Sequence, residues 1–313
     1  MKVLLKVSAV ILILAICVIL NQYVLLPCYN ASAMYGSMAQ KLERAESIQS
    51  QKVIVISGSA ANLSFDSQYF EQLSGIPAVN LSVSAGVPLK VYMRAAELCA
   101  NDGDTVIIPL EYGYYSDDFN EISEAYVDMV GVDPKLKCDE DFWNSIEFYC
   151  QSFLRSFTRI HDCALWLLRD MVQTGNTIYV ADSVNEYGDF CMHKDRPSTY
   201  VSKVSFVNFR YNAELLDQIK AFIEKMENTG VTVYLTYPCV DKEAFRNSES
   251  YFAQVQQVLR SYIPEENIMG TPHDFSFDPE LFFDTAYHIR YENKGVYTEK
   301  LFAAYQVCRS QSN

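Results

Sequence analysis

The sequence predicts a mixed α/β domain built on a mainly parallel sheet and preceded by a membrane-spanning helix. Short runs of wholly apolar, β-branched residues alternate along the chain with longer amphipathic segments. Strands that are apolar on both sides are typical of parallel sheets covered by helices on both faces. The chain has 313 residues, of which half are hydrophobic and 20% are charged, so it is long enough to bury such a core.

The N-terminal apolar stretch predicts a membrane anchor. Residues 7–26 are long enough to cross a bilayer as one helix. Lys2 and Lys6 precede this stretch, so the positive-inside rule places the N-terminus in the cytoplasm and the rest outside. The alternative is a cleaved signal peptide, with the small residues 31–33 as its cleavage site. We expect residues 1–30 to be a single-pass anchor for an extracytoplasmic domain.

The predicted elements follow in order after the anchor. A polar juxtamembrane helix is expected over residues 34–50, within a linker over residues 31–50, and the α/β domain over residues 51–313. Apolar runs that end in turns predict five strands, at residues 53–56, 77–82, 105–110, 231–237 and 267–269. Helices are expected at residues 89–100 and 295–307. A further helix before the fourth strand has one apolar face formed by Leu215, Leu216, Ile219, Phe222 and Ile223.

Residues 116–210 interrupt this alternation and predict an insertion. A helical segment rich in Phe, Trp and Leu spans residues 139–171, and a polar irregular segment containing Asn185 follows. We expect the insertion to pack over one end of the sheet. It is either additional scaffold or a lid or substrate wall, because ligands bind at the carboxyl ends of parallel strands.

The composition argues against several classes of function. The 25 basic and 39 acidic residues give a net charge of −14, which is unfavourable for binding nucleic acid through its phosphates. The sequence has no Walker loop, no GxGxxG motif and no HExxH motif, and its nine cysteines form no CxxC pair. We therefore expect no organic cofactor and no metal.

Two segments far apart in the chain carry candidate catalytic residues. Gly58-Ser59 follows the first strand, at the turn where a nucleophile or an anion site is favoured, although an N-capping serine is the alternative. His288 has Asp284 four residues before it. Such an acid can hold the imidazole tautomer, which leaves the other ring nitrogen to accept a serine proton. The order Ser, Asp, His is a known triad order, whereas a polar pair that caps the last helix is the alternative.

These segments, together with residues 80–86, resemble the SGNH (GDSL-like) hydrolase superfamily over roughly residues 52–305. The likeness is closest to its membrane-anchored branch of DltD-like proteins and polysaccharide acyltransferases. The resemblance implies a three-layer α/β/α, flavodoxin-like domain. It also implies Ser59 as nucleophile, His288 as base, Asp284 as orienting acid, and an oxyanion hole formed by the N–H groups of Ser59 and Gly86.

The sequence departs from the family pattern at three places. The Asp expected after Gly58 is absent, and the DxxxH spacing replaces DxxH, although four residues still fit one helical face. The third strand ends in Glu111 and Tyr112 where the family has Gly-x-Asn-Asp. Glu111 is either a substrate or histidine contact or a structural carboxylate, and Tyr112 is either a sugar contact or part of the core. The candidates for the missing oxyanion-binding amide are Asn62, Asn80 and Asn185.

The resulting expectation is an extracytoplasmic serine-dependent acyl esterase or O-acyltransferase that acts on a cell-envelope glycan or polymer. Its partners would be the acylated polymer, the membrane and a multi-span membrane acyltransferase, and not nucleic acid. The alternative is a non-catalytic SGNH-like accessory protein that binds a surface polymer or a membrane acyltransferase.

Overall fold

The structure is a computed structural model that describes residues 2–25, 33–118, 120–172, 183–191, 193–202 and 204–311. It begins with helix α1 (Lys2–Leu20), which continues into a π-helical turn, Asn21–Leu25. Among the described residues, α1 is the one helix that is long and apolar enough to cross a membrane, and none of it is buried in the protein. The end of the predicted anchor and most of the alternative cleavage segment lie outside the described residues.

A four-stranded sheet of parallel strands forms the centre of the domain. Its order is β2 (Ala78–Asn80), β1 (Val53–Val55), β3 (Thr105–Pro109) and β4 (Thr232–Thr236). Every residue of β1, β2 and β3 is buried. Side chains that point to both faces of these strands are therefore covered, and the prediction of a mainly parallel sheet is confirmed.

The predicted fifth strand is reduced to a single pairing. Ile268 forms one parallel bridge with Leu235, and the Met269 N–H donates to the Leu235 carbonyl at 2.8 Å. A 3₁₀ turn ends at Asn267, and Gly270 adopts a φ of +69°, so little extended backbone remains between them. A second sheet of two short parallel strands, β5 (Val240–Asp241) and β6 (Ser276–Phe277), lies elsewhere in the domain.

Ten helices after α1 lie in the described part of the chain. Their bounds are α2 (Ser37–Ser47), α3 (Ser59–Ser64), α4 (Ser67–Ser74), α5 (Leu89–Cys99), α6 (Glu124–Val132), α7 (Phe142–Val172), α8 (Ala213–Glu227), α9 (Lys242–Arg246), α10 (Glu249–Tyr262) and α11 (Lys294–Gln311). Helix α2 contacts β2 and α5, and α8 contacts β4 and α10, whereas α11 contacts both α3 and α4. The apolar face predicted for α8 is the face that is buried.

Helix α2 differs from the polar juxtamembrane helix that the sequence predicts. Met38, Leu42 and Ala45 lie on one face at helical spacing and are buried in the core of the domain. Lys41, on the same face, is fully buried as well. The helix therefore packs as part of the folded domain.

The insertion contains two helices that are paired through buried charge. Arg155 and Arg159 of α7 both bind Asp128 of α6, at 2.9 and 2.7 Å. Residues 183–191 form a loop closed by an antiparallel bridge between Val184 and Phe190. The segment between this loop and α7, residues 173–182, lies outside the described residues.

Candidate active site

Ser59 lies at the first position of α3, directly after the turn that ends β1. The preceding residue, Gly58, has no room for a side chain, because a Cβ there would lie 2.5 Å from Glu111 Oε1 and 2.7 Å from Ala85 Cα. Gly58 is also the residue at the N-cap position, where no side chain caps the helix. Ser59 is half-buried, and its hydroxyl makes no hydrogen bond within the described ranges, so it is not the N-capping serine that was the alternative.

His288 is bonded to the acid that the sequence paired with it. His288 Nδ1 lies 2.7 Å from Asp284 Oδ1, and the histidine is 9% exposed. Donation from Nδ1 to the carboxylate leaves Nε2 as the acceptor nitrogen of a neutral ring. Within the part of the chain that the structure describes, Nε2 has no hydrogen-bond partner.

The sequence predicts that Asp284 and His288 share one face of a helix, but in the structure they meet in a turn. Phe282 and Ile289 form an antiparallel bridge, and the Phe283 N–H donates to the His288 carbonyl at 2.7 Å. The chain between them reverses direction, which brings Asp284 beside His288. Helix α11 begins only at Lys294, so the pair does not cap it.

Ser64 fixes the His288 segment against α3. Its hydroxyl donates to the Tyr287 carbonyl at 3.1 Å and accepts the Ile289 N–H at 3.0 Å, so it bonds to the backbone on both sides of His288. Ser64 ends the helix that Ser59 begins, and the two residues are about 7.5 Å apart along the helix axis. Ser59 is therefore part of the helix against which the His288 segment is held. No hydrogen bond joins the Ser59 and His288 side chains in the described structure.

Glu111 lies between these two elements at the carboxyl end of β3. Its Oε1 accepts the Ala60 N–H at 2.8 Å, at the N-terminus of α3. Burial raises the pKa of the Glu111 carboxyl, while the N–H groups of Ala60 and Gly58, and His288 when it is protonated, act in the opposite direction. The hydrogen bond from the Ala60 N–H is that of a structural carboxylate. Glu111 is also close enough to His288 to interact with it electrostatically.

Two backbone N–H groups at this position are free to bind an oxyanion. The N–H groups of Ser59 and Ala85 have no hydrogen-bond partner among the described residues, and Ala85 N lies 2.8 Å from the position of a Cβ on Gly58. By contrast, the Gly86 N–H donates to Ser84 Oγ at 3.2 Å. The geometry therefore favours Ala85 over the predicted Gly86 as the second donor. Nothing in the sequence distinguishes these two neighbouring residues.

The side-chain amides of Asn62 and Asn80 are committed to the scaffold. Asn62 is 1% exposed, donates to the Val83 carbonyl at 3.0 Å and accepts from Lys41 Nζ at 3.1 Å. Asn80 is fully buried and donates to the Ala61 carbonyl at 3.0 Å. The Asn80 amide ties β2 to α3 and the Asn62 amide ties α3 to the segment after β2, so both amides are occupied by scaffold contacts.

Asn185 also has a structural role in the loop of the insertion. Its Oδ1 accepts the N–H groups of Tyr187 and Asp189, each at 3.0 Å. This turn places the Asp189 carboxylate on Ser67, whose N–H and hydroxyl both donate to it at 2.7 Å. The predicted site role of Asn185 is therefore not supported by its contacts.

Asp189 belongs to a buried cluster of charges that the sequence patterns did not reveal. The ammonium groups of Lys41 and Lys294 interact with its carboxylate, and all three residues are almost fully buried. Burial lowers the pKa of Lys41 to about 7, against the attraction of Asp189. These residues are far apart in the sequence, and only the packing of α2 into the domain brings them together.

Tyr112 is a core residue and not a sugar contact. It is 3% exposed, and its hydroxyl has no hydrogen-bond partner in the described part of the chain. Its ring packs edge-on or tilted against four other aromatic rings, those of Phe206, Tyr251, Phe252 and Tyr287.

A cavity adjoins the turn that carries the candidate oxyanion donor. Its volume is about 250 Å³. Acidic side chains form part of its wall, which suits a ligand that offers hydroxyl or ammonium donors. The residues that line it include Ala85, Gly86, Leu89, Tyr114, Asp117, Asp118 and Glu121.

Comparison with known proteins adds no assignment to this geometry. Among the described residues, no group of three or more His, Cys, Asp or Glu side chains is arranged to hold a metal ion. No protein-family model matches the chain, and no curated protein matches its sequence.

Proposed function

We propose that this protein is an extracytoplasmic serine-dependent acyl esterase or O-acyltransferase that acts on an acylated cell-envelope glycan or polymer. The observation that carries the proposal is a pair of hydrogen bonds on either side of His288, in which the Ser64 hydroxyl donates to the Tyr287 carbonyl and accepts the Ile289 N–H. These bonds hold the Asp284–His288 pair against the helix that begins at Ser59.

The proposed chemistry uses the side chains in complementary roles. Ser59 Oγ attacks the ester carbonyl carbon as His288 Nε2 accepts the hydroxyl proton, and the Asp284 carboxylate stabilises the imidazolium that forms. The N–H groups of Ser59 and Ala85 bind the oxyanion of the tetrahedral intermediate. The C–O bond of the ester then breaks, and the leaving alcohol takes the proton from His288.

The acyl-enzyme passes its acyl group to a second nucleophile. His288 removes a proton from that nucleophile, which attacks the acyl carbon and releases Ser59. Water as the nucleophile gives hydrolysis, and a sugar or polyol hydroxyl gives transfer. The Ser59 and His288 side chains make no hydrogen bond to each other in the described structure, and such catalytic contacts often tighten only when substrate binds.

The finer architecture and the membrane partners are part of the same proposal. The segment at residues 267–269 continues the sheet beyond β4, which would give the five-stranded, three-layer arrangement of SGNH hydrolases. Lys2 and Lys6 in the first two turns of α1 support an anchor with the domain outside the membrane. A multi-span acyltransferase in the same membrane would then supply or receive the acyl group.

Esterase activity on a small chromogenic acyl ester tests the proposal with the full chain in detergent. We expect Ser59→Ala to abolish turnover and Ser261→Ala to retain it, because Ser261 is an exposed serine of α10 that no proposed step uses. Equal turnover by the wild-type chain and Ser59→Ala would overturn the assignment of the nucleophile.

A second candidate function is a non-catalytic protein that binds a surface polymer. It is favoured by the oxyanion region, where the Gly86 N–H is bonded to Ser84 and the amides of Asn62 and Asn80 are bonded within the scaffold. A folded chain that binds an envelope glycan with equal affinity before and after Ser59→Ala, and turns over no acyl ester, would support this candidate.

A further inference from the structure

Helix α7 exposes a long apolar stripe to solvent. Eight large hydrophobic side chains, which all fall within one half of the helix circumference, are between 39% and 73% exposed. An exposed apolar surface of this extent is unusual for a protein face that meets only water. The residues of this stripe are Phe142, Trp143, Ile146, Tyr149, Phe153, Leu154, Leu165 and Leu168.

The opposite face of α7 is fixed to the domain. Arg159 is 1% exposed and binds the buried Asp128 of α6, and Arg155 binds both Asp128 and Glu124. Phe148 is 4% exposed and packs on the ring of Tyr126. These contacts determine the rotation of the helix about its axis, so the apolar stripe faces away from the domain.

Helix α7 also contacts the end of the membrane-spanning candidate. The π-helical turn Asn21–Leu25, which directly continues α1, packs against α7. Asn21 in this turn is 4% exposed although every described residue of α1 is exposed. When α1 crosses a bilayer, α7 is therefore held at the level of the membrane surface.

We propose that α7 lies in the interface of the bilayer beside α1, with its apolar stripe among the lipid headgroups and upper acyl chains. Trp and Tyr side chains, such as Trp143 and Tyr149, are favoured at this depth because their rings are apolar at one end and polar at the other. The eight described side chains of the stripe carry no charge, so insertion depends on apolar burial and not on anionic lipid. This placement is independent of acyl transfer.

Tryptophan fluorescence tests this placement in the full chain. Both tryptophans, Trp143 and Trp166, lie in α7, so Trp166→Phe leaves Trp143 as the single emitter. In nanodiscs that hold one copy each, we expect lipids brominated on the upper acyl chain to quench roughly half of the Trp143 emission. Emission at the wavelength of water-exposed tryptophan, without quenching, would overturn the proposal.

Matched double variants test whether the quenching of Trp143 depends on the apolar stripe of α7. Ile146→Asp with Phe153→Asp places two charges on the stripe, and we expect the quenching to fall at least about threefold. Val296→Asp with Val307→Asp places the same charges at similarly exposed apolar sites on α11, and we expect unchanged quenching. Trp143 emission that is blue-shifted but unquenched, and that is seen only when a nanodisc holds two copies, would show that the stripe contacts a second copy of the chain. That result would overturn the placement in the lipid interface.

Discussion

His288 Nδ1 and Asp284 Oδ1 lie 2.7 Å apart in a turn that an antiparallel bridge closes, and not within a helix. The chain reverses direction between Asp284 and His288, and this reversal brings the two side chains into contact. In this position the carboxylate selects the tautomer in which Nε2 can accept a proton.

Removal of the Asp284 charge tests its orienting role. We expect Asp284→Asn to lower kcat for ester hydrolysis by roughly 10²- to 10⁴-fold with little change in KM. The neutral amide of Asn cannot stabilise the imidazolium as the Asp284 carboxylate does. Asp278→Asn is the control, since Asp278 is an exposed acid paired with Lys242 on the surface. Steady-state kinetics check the prediction, and equal kcat values for both variants would contradict it.

Ser64 is expected to support both folding and the site. Ser64→Ala removes the hydroxyl that bonds to the backbone around His288, and we expect a loss of about 1–3 kcal/mol in the free energy of unfolding. Ser261→Ala removes an exposed hydroxyl of α10 and should change stability little. Urea unfolding measures both, and a Ser64→Ala chain as stable as Ser261→Ala would contradict the role of this bond.

The close approach at Gly58 predicts a position-specific effect of a single methyl group. We expect Gly58→Ala to destabilise the fold by about 1–3 kcal/mol, because its Cβ would collide with Glu111 Oε1 and the backbone of Ala85. A Cβ on Gly113 would have no atom of the described residues within 4 Å, so Gly113→Ala is the matched control. Thermal unfolding of the two variants should separate them, and similar midpoints would argue against the tight turn.

Lys41 predicts a dependence of stability on pH. Burial lowers the pKa of Lys41 to about 7 in the folded chain, against an ordinary value of 10.5. Between these values the unfolded chain binds the additional proton, so this residue makes stability rise with pH by up to about 1.4 kcal/mol per pH unit. The stabilisation is complete above the ordinary pKa and is lost as the pH falls towards 7.

Lys41→Met should remove this contribution, whereas Lys300→Met on the exposed surface of α11 should retain it. The measurement is the free energy of unfolding at several pH values from about 7 to about 9.5. As the pH rises, the free energy of unfolding of the wild-type chain should increase relative to that of Lys41→Met. A constant difference would show that Lys41 is charged in the folded protein throughout this range.

The sheet and one helix face could be predicted from the sequence because local patterns determine them. Four apolar runs correspond to β1–β4, and the apolar face of α8 is the buried one. The Asp284–His288 contact was also predicted, although for a helical geometry that the structure does not have.

Other features depend on contacts between distant segments, which periodicity does not encode. The polar appearance of α2 concealed that Lys41 is buried beside Asn62 and Asn80. The predicted strand at residues 267–269 is shortened by the turn before it and by Gly270. The choice of Ala85 over Gly86 depends on a hydrogen bond to Ser84, which only the folded loop defines.

The site of covalent labelling by a fluorophosphonate tests the central claim most directly. The full chain in detergent is treated with the reagent, and the modified peptide is identified by mass spectrometry. We predict a single adduct on Ser59 that is absent in Ser59→Ala and strongly reduced in His288→Ala, because the attacking oxygen needs the histidine as its base. An adduct on another serine, or no adduct on a folded chain, would contradict the account.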